Sequence, residues 1–166
     1  CISIILMSFA LAENIQQKVD KEIKAAYNIE EFEFDAILVS SEIAKDLPSI
    51  FGRDNFYAIK IDSTLLGYAY IGNGPTKTDT FDYLVLFDND LIVKKAKVLV
   101  YREDYGGEIG SKRWLKQFIG KSPNDELKYG DNIAAISGAT ISVKSMTLAI
   151  NKLLQSIKIL HEKNII

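Results

Sequence analysis

The feature that most restricts how this chain can fold is the run of strand-like segments between residues 56 and 101. Phe56 to Ile61, Leu66 to Ile71, Phe81 to Phe87 and Leu91 to Tyr101 are rich in the aromatic and β-branched residues that pack well on a pleated surface. Asp62-Ser63, Asn73-Gly74-Pro75 and Asp88-Asn89 separate them and carry turn chemistry. Connections this short cannot hold crossover helices, so neighbouring strands must run antiparallel. The expected class is α+β: a largely antiparallel sheet with helices packed on one face.

Helical patterns lie on either side of this block. From Glu13, the residues Ile15, Val19, Ile23, Ala26 and Tyr27 recur at spacings of three to four while Gln, Lys, Asp and Glu fill the other face, which predicts an amphipathic packing helix. Phe32 to Val39 reads as a strand, and Ser41-Glu42 opens a short helix that Pro48 ends. A further short helix is expected around Trp114 to Phe118. The longest pattern follows Thr140, where Val143, Met146, Ile150, Leu153, Ile157 and Leu160 form one apolar stripe. A length of 166 residues corresponds to one domain, spanning 13–166, large enough to hold together without disulfides or structural metal.

Residues 1 to 12 stand apart. They carry no charge and end in Ala10-Leu11-Ala12, and they match the apolar core and small-residue cleavage site of a secretory leader, although a basic n-region is missing. The expectation is a signal-peptide remnant and an extracytoplasmic protein, the alternative being a short hydrophobic element of the mature fold. Cys1, the single cysteine, falls in that segment. With 20 Lys+Arg against 22 Asp+Glu and no clustered basic residues, the chain offers nothing to neutralise a run of phosphates, which argues against a nucleic-acid partner.

Side chains for hydrolytic or metal chemistry are scarce. One histidine, His161, sits near the end of the last helix and reads as solvated or helix-terminal. Asp88 with Asp90, and Glu103 with Asp104, read as turn-forming or solvated carboxylates rather than an acid/base pair. Arg102 to Gly110 is a glycine-punctuated loop in which Gly106, Gly107 and Gly110 suggest close backbone approach, without dinucleotide or phosphate-loop spacing. The informative segment is Ser137-Gly138-Ala139-Thr140 at the entrance to the long helix. Small residues there leave backbone amides accessible and present a hydroxyl at a helix N-terminus, an arrangement suited to a phosphate. Helix capping by Ser or Thr explains the same residues.

Ser137-Gly138-Ala139-Thr140-Ile141-Ser142 leading into a C-terminal helix resembles the signature of the FMN-binding domain family, which includes flavin-carrying subunits of the Nqr and Rnf electron-transport complexes. A second similarity lies upstream, where Val100-Tyr101-Arg102-Glu103 continues through Gly106, Gly107 and Gly110 to Trp114 and Phe118. It spans about residues 56–160. The resemblance implies FMN as cofactor, joined by a phosphoester to Thr140 by a separate flavin transferase that takes FMN from FAD. It implies cofactor contacts from Ser137, Gly138, Ala139, Ile141, Glu103, Tyr105, Gly106 and Gly107, with Trp114, Tyr105 and Phe118 either stacking on the ring or packing in the core, and Lys144 either near the phosphate or solvated. Six residues before Thr140 the chain has Ala134 where the family's attachment motif has aspartate, and the Gly loop differs from the family's Glu-Thr-Pro-Gly-Leu-Gly. The function so implied is an exported electron carrier, rather than a stand-alone catalyst, working between a membrane reductase and another donor or acceptor. Non-covalent FMN binding and a flavin-free interaction domain are the alternatives.

Overall fold

A computed structural model of the protein describes residues 13–166. In chain order the elements are α1 (Glu13–Tyr27), β1 (Glu33–Ala36), α2 (Ser41–Ala44), β2 (Phe56–Ile61), β3 (Thr64–Pro75), β4 (Thr80–Asp88), β5 (Val93–Tyr101), α3 (Lys112–Leu115) and α4 (Thr140–Glu162), with 3-10 turns at Gly107–Gly110 and Lys116–Phe118 flanking α3. The leader expected at residues 1 to 12 lies outside the described residues.

The five strands form one sheet in the order β1-β2-β3-β4-β5, and every neighbouring pair is antiparallel, as the short connections require. Asp62 and Ser63 both adopt positive φ, 48° and 64°, the backbone of a two-residue hairpin turn whose twist matches its strands. Between β4 and β5 the Asp88 carboxylate accepts hydrogen bonds from the amides of Asp90 (2.9 Å) and Ile92 (3.0 Å), so this acid serves the turn. The sheet is therefore a meander built locally.

Two expectations are corrected. Asn73-Gly74-Pro75 is not a turn: β3 runs through it, with Gly72 opposite Tyr83 and Gly74 opposite Phe81. A Cβ on Gly72 would stand 2.3 Å from the Tyr83 ring, and one on Gly74 would stand 2.6 Å from the Phe81 ring. These glycines let the β4 aromatics lie across β3. The reversal comes later, where the Thr76 amide donates to the Asp79 carbonyl (2.9 Å) and the Asp79 amide to Thr76 Oγ1 (3.0 Å).

Helices also cover both faces of the sheet, not one. Phe56, Ala58, Tyr70, Phe81, Tyr83, Val85 and Phe87 point toward α4, whereas Tyr57, Ile59, Ala69, Ile71, Leu84 and Leu86 pack with Val19 and Ile23 of α1. The sequence holds this signal in the unbroken apolar runs of β2 and β4, since a strand buried on both faces loses its polar alternation. On one side the predicted stripe of α4 is fully buried from Val143 to Leu160. On the other, α1 is tied down by polar contacts at its margin. Glu22 pairs with Lys95 and Lys97 of β5, Lys18 Nζ donates to the Leu99 carbonyl (2.9 Å), and Tyr27 donates its hydroxyl proton to the Phe87 carbonyl. His161 is exposed at the end of α4 with Nδ1 3.1 Å from the Ile166 carbonyl, the helix-terminal position expected of it.

Candidate functional site

The chain enters α4 through a turn. The Ala139 amide donates to the Ile136 carbonyl (3.2 Å), and Gly138, third in that turn, has φ of 84°, where a side chain is strained. Ala139 is the residue preceding the helix, and its methyl group is buried and cannot cap. Ser137 and Thr140 are both exposed, and neither hydroxyl caps the helix, which overturns the capping reading of this motif. Among the described residues nothing accepts from the amides of Thr140, Ile141 and Ser142, and the Thr140 hydroxyl makes no hydrogen bond. The first turn of a 23-residue helix thus presents free donors, the positive end of its dipole and an uncommitted hydroxyl at one spot.

The glycine loop is fastened to this turn. Tyr101, the last residue of β5, donates its phenolic proton to the Tyr105 carbonyl (2.6 Å) and lies 2.7 Å from Ser142 Oγ. With the phenolic proton committed, the Ser142 hydroxyl is the donor in the second bond. Gly106 is buried beside them with φ of 85°, and a Cβ there would fall 2.7 Å from the Tyr101 hydroxyl and 3.1 Å from Ser142 Oγ. Glycine at 106 is what allows loop and helix to meet. Gly107 is exposed, and a Cβ on it would touch the Tyr101 ring only at an ordinary 3.8 Å.

Of the residues singled out from the sequence, Ser137, Gly138, Ala139, Thr140, Ile141, Gly106 and the Tyr105 backbone gather around this corner. The Tyr105 ring is 82% exposed and free. Of the two readings open for Trp114 and Phe118, the structure shows core packing: Trp114 is 4% exposed, packs edge-on against Phe118 (5.2 Å between centroids), and donates its indole N–H to the Ala134 carbonyl (2.7 Å). Gln117 Oε1 accepts from the Ala134 amide (2.7 Å), so α3 and the turn after it grip the chain six residues before Thr140. Glu103 serves a turn, one distant from it in sequence. Its carboxylate accepts from the amides of Lys77 (2.9 Å) and Thr78 (3.3 Å) and from the Thr78 hydroxyl (3.2 Å), and so braces the 76–79 turn. Bonds from the Thr76 hydroxyl and then from Thr78 and Lys77 outweigh desolvation and hold its pKa below the usual carboxylate value. Lys144, one turn into α4, rests its ammonium 5.1 Å from the centre of the Tyr129 ring.

Tyr101 and Ser142, which lie within the two sequence motifs without an assigned role, and Gln117 complete the site. A polar residue beside the apolar stripe was the available signal for Ser142; the other two depend on chain segments that meet only in the fold. Residues 77–155 match the family model of the FMN-binding domain. That segment runs from the β3–β4 turn through β4, β5, the glycine loop and α3 to most of α4, and so includes the whole corner described above. No curated protein matches the chain.

Proposed function

Residues 77–155 match the FMN-binding domain family, and from that premise we propose that the protein is an exported electron carrier whose FMN is joined through its phosphate to Thr140. The observation that carries this reading is the conjunction at the start of α4 of an unbonded Thr140 hydroxyl with three unpartnered amides. A phosphate needs donors and positive potential, and this corner supplies both.

In the attachment step Thr140 Oγ1 forms a bond to the phosphorus of the FMN half of FAD. The pyrophosphate bond would break with AMP as the leaving group, the hydroxyl proton would pass to a base of the flavin transferase that catalyses the step, and from there to solvent. The amides of Thr140, Ile141 and Ser142 would hold the phosphate oxygens, and the Tyr101–Ser142 bond keeps the Gly106 loop against the same turn. Gly106 and Gly107 bring backbone rather than side chains to that side of the site, and the Tyr105 side chain is exposed and available to the cofactor. FMN when bound supplies one- and two-electron transfer, while position and electrostatics come from the protein. The uncharged segment ending in Ala10-Leu11-Ala12 supports export, and a carrier in that location would work between a membrane reductase and a second redox partner.

The test is the intact mass of denatured protein after exported co-expression with a flavin transferase, for wild type and Thr140→Ala. The expected result is a gain of FMN minus water in the wild type alone. An unmodified wild type would overturn covalent attachment: FMN released on denaturation would then mark a non-covalent flavoprotein, and colourless protein that fails to bind added FMN would mark an interaction domain.

A further inference from the structure

Between the outer side of α4 and the far end of β3 lies a cleft of about 670 Å3, within the size range of sites for small molecules. Thr140 is not part of its wall. Much of the lining is apolar, with Ile50 and Leu148 on the side of Tyr70 and Tyr83, and Ile71 toward the strand end. Two of these face water in a way core residues do not, Ile50 being 82% and Leu148 53% exposed.

The wall also carries polar groups, among them Lys144, Lys152, Ser145, Asn73 and Asp82. Among the described residues Lys152 and Lys144 pair with no acid, and Ser145 Oγ is buried without a hydrogen-bond partner. Asp82, the acid in the wall, is already held by Arg102 and by Asn73 Nδ2 (2.7 Å). Lys144 already rests over the Tyr129 ring, so what remains uncompensated among the described residues is the Lys152 ammonium and the Ser145 hydroxyl beside an apolar floor. A buried hydroxyl left unpaired is costly, and so is bare apolar surface of this extent; a ligand with an anionic head and an apolar body relieves both.

We propose that this cleft binds an amphiphilic carboxylate, its body against Leu148, Ile50 and the tyrosine edges and its head toward Lys152 and Ser145. An added peptide strand is the competing occupant, because β2 starts only at Phe56 and leaves the end of β3 unpaired on that side. The Ile71 amide is the last to reach across, donating to the Asn55 carbonyl (2.9 Å). Strand alternation then turns only Asn73 and Pro75 outward, and proline has no N–H to give. One amide is too little edge for a strand, whereas it does not limit a small anion.

The experiment titrates the full chain calorimetrically with dodecanoate, dodecanol and dodecyltrimethylammonium, three molecules of equal tail and different head, each below its micelle threshold. The expected result is saturable 1:1 binding of dodecanoate, at least about tenfold weaker binding of dodecanol and none of the cation. Lys152→Glu and Leu148→Glu, both at exposed positions, should each weaken dodecanoate by at least about tenfold with an unchanged melting curve. Equal binding of all three molecules, no saturable binding, or dodecanoate binding that neither variant alters would each overturn the proposal.

Discussion

Two glycines with nearly the same backbone show how much a residue's surroundings decide. Gly106 and Gly138 have φ of 85° and 84°. A Cβ on Gly138 would meet nothing within 4 Å, so Gly138→Ala should cost only the left-handed backbone penalty, about 1–2 kcal/mol in urea unfolding. At Gly106 the same change also drives a methyl group into the Tyr101 hydroxyl. Gly106→Ala should therefore cost more than Gly138→Ala in the same assay, and should release the loop from α4, seen as faster hydrogen exchange at residues 105–107. Tyr101→Phe separates the two effects. It leaves the backbone undisturbed but strips a partner from both the Tyr105 carbonyl and Ser142 Oγ, for an expected loss of about 1–3 kcal/mol. A Tyr101→Phe variant as stable as wild type would show that the latch contributes nothing to the site's geometry.

At the scale of elements the sheet is a partition. Ile23 of α1 and Met146 of α4 are both fully buried, but on opposite faces and in separate clusters. Ile23→Ala and Met146→Ala should each cost about 2–5 kcal/mol, and the double variant should lose the sum to within about 0.5 kcal/mol, because the residues share no partner. Gly67 sets how closely α1 can dock. A Cβ there would stand 1.9 Å from the Phe87 carbonyl oxygen and 2.6 Å from the Tyr27 hydroxyl, the two atoms that hydrogen-bond to each other. Gly67→Ala must displace α1 or the β3–β4 pairing, and its measure is a melting temperature lower than that of Gly110→Ala, where a Cβ meets nothing within 4 Å. Burial has pushed the Tyr27 phenol well above its ordinary pKa and the Tyr70 phenol up to about 12, so neither ionises while the elements stay docked.

Across the whole molecule, the acid limb of stability follows from carboxylates that hold the periphery of the sheet. Burial works to raise the pKa of Glu22, but the Lys95 hydrogen bond and the charges of Lys95, Lys97 and Lys21 outweigh it and hold it below normal. Burial likewise opposes, and Arg102 and Asn73 overcome, at Asp82. A carboxylate depressed in the folded state stabilises the fold above its unfolded pKa, about 4 for these groups, and that stabilisation is lost as pH falls through the folded value, since the unfolded chain then binds the extra protons. Stability should be flat from neutral pH down to about 5 and then decline on further acidification. Glu22→Gln should flatten part of that decline and lower stability at pH 7; an unchanged acid limb would show that the α1–β5 ion pairs are not coupled to folding.

Much of this molecule is local in the sequence. Short turn-rich connections admit only antiparallel neighbours, a stripe of period 3.6 admits only a packed α4, and Ser137 to Thr140 before that stripe marks a helix entrance; each is fixed by residues within a few positions of one another, so the sequence by itself determines it, whereas that no hydroxyl caps the entrance was decided by the fold. The tertiary structure decided what depends on distant segments meeting. Glycines at 72 and 74 are strand rather than turn because Tyr83 and Phe81, on the next strand, need the room. Trp114 and Phe118 became core, and Glu103 a brace for the 76–79 turn, because α3 and the end of β5 come to rest against chain far away in sequence. Which helix covers which face, and the latch of Tyr101 to Ser142 across 41 residues, are likewise outcomes of packing. A contact across such a gap leaves no periodicity to read, and its two partners become neighbours only when the sheet and its helices close around them.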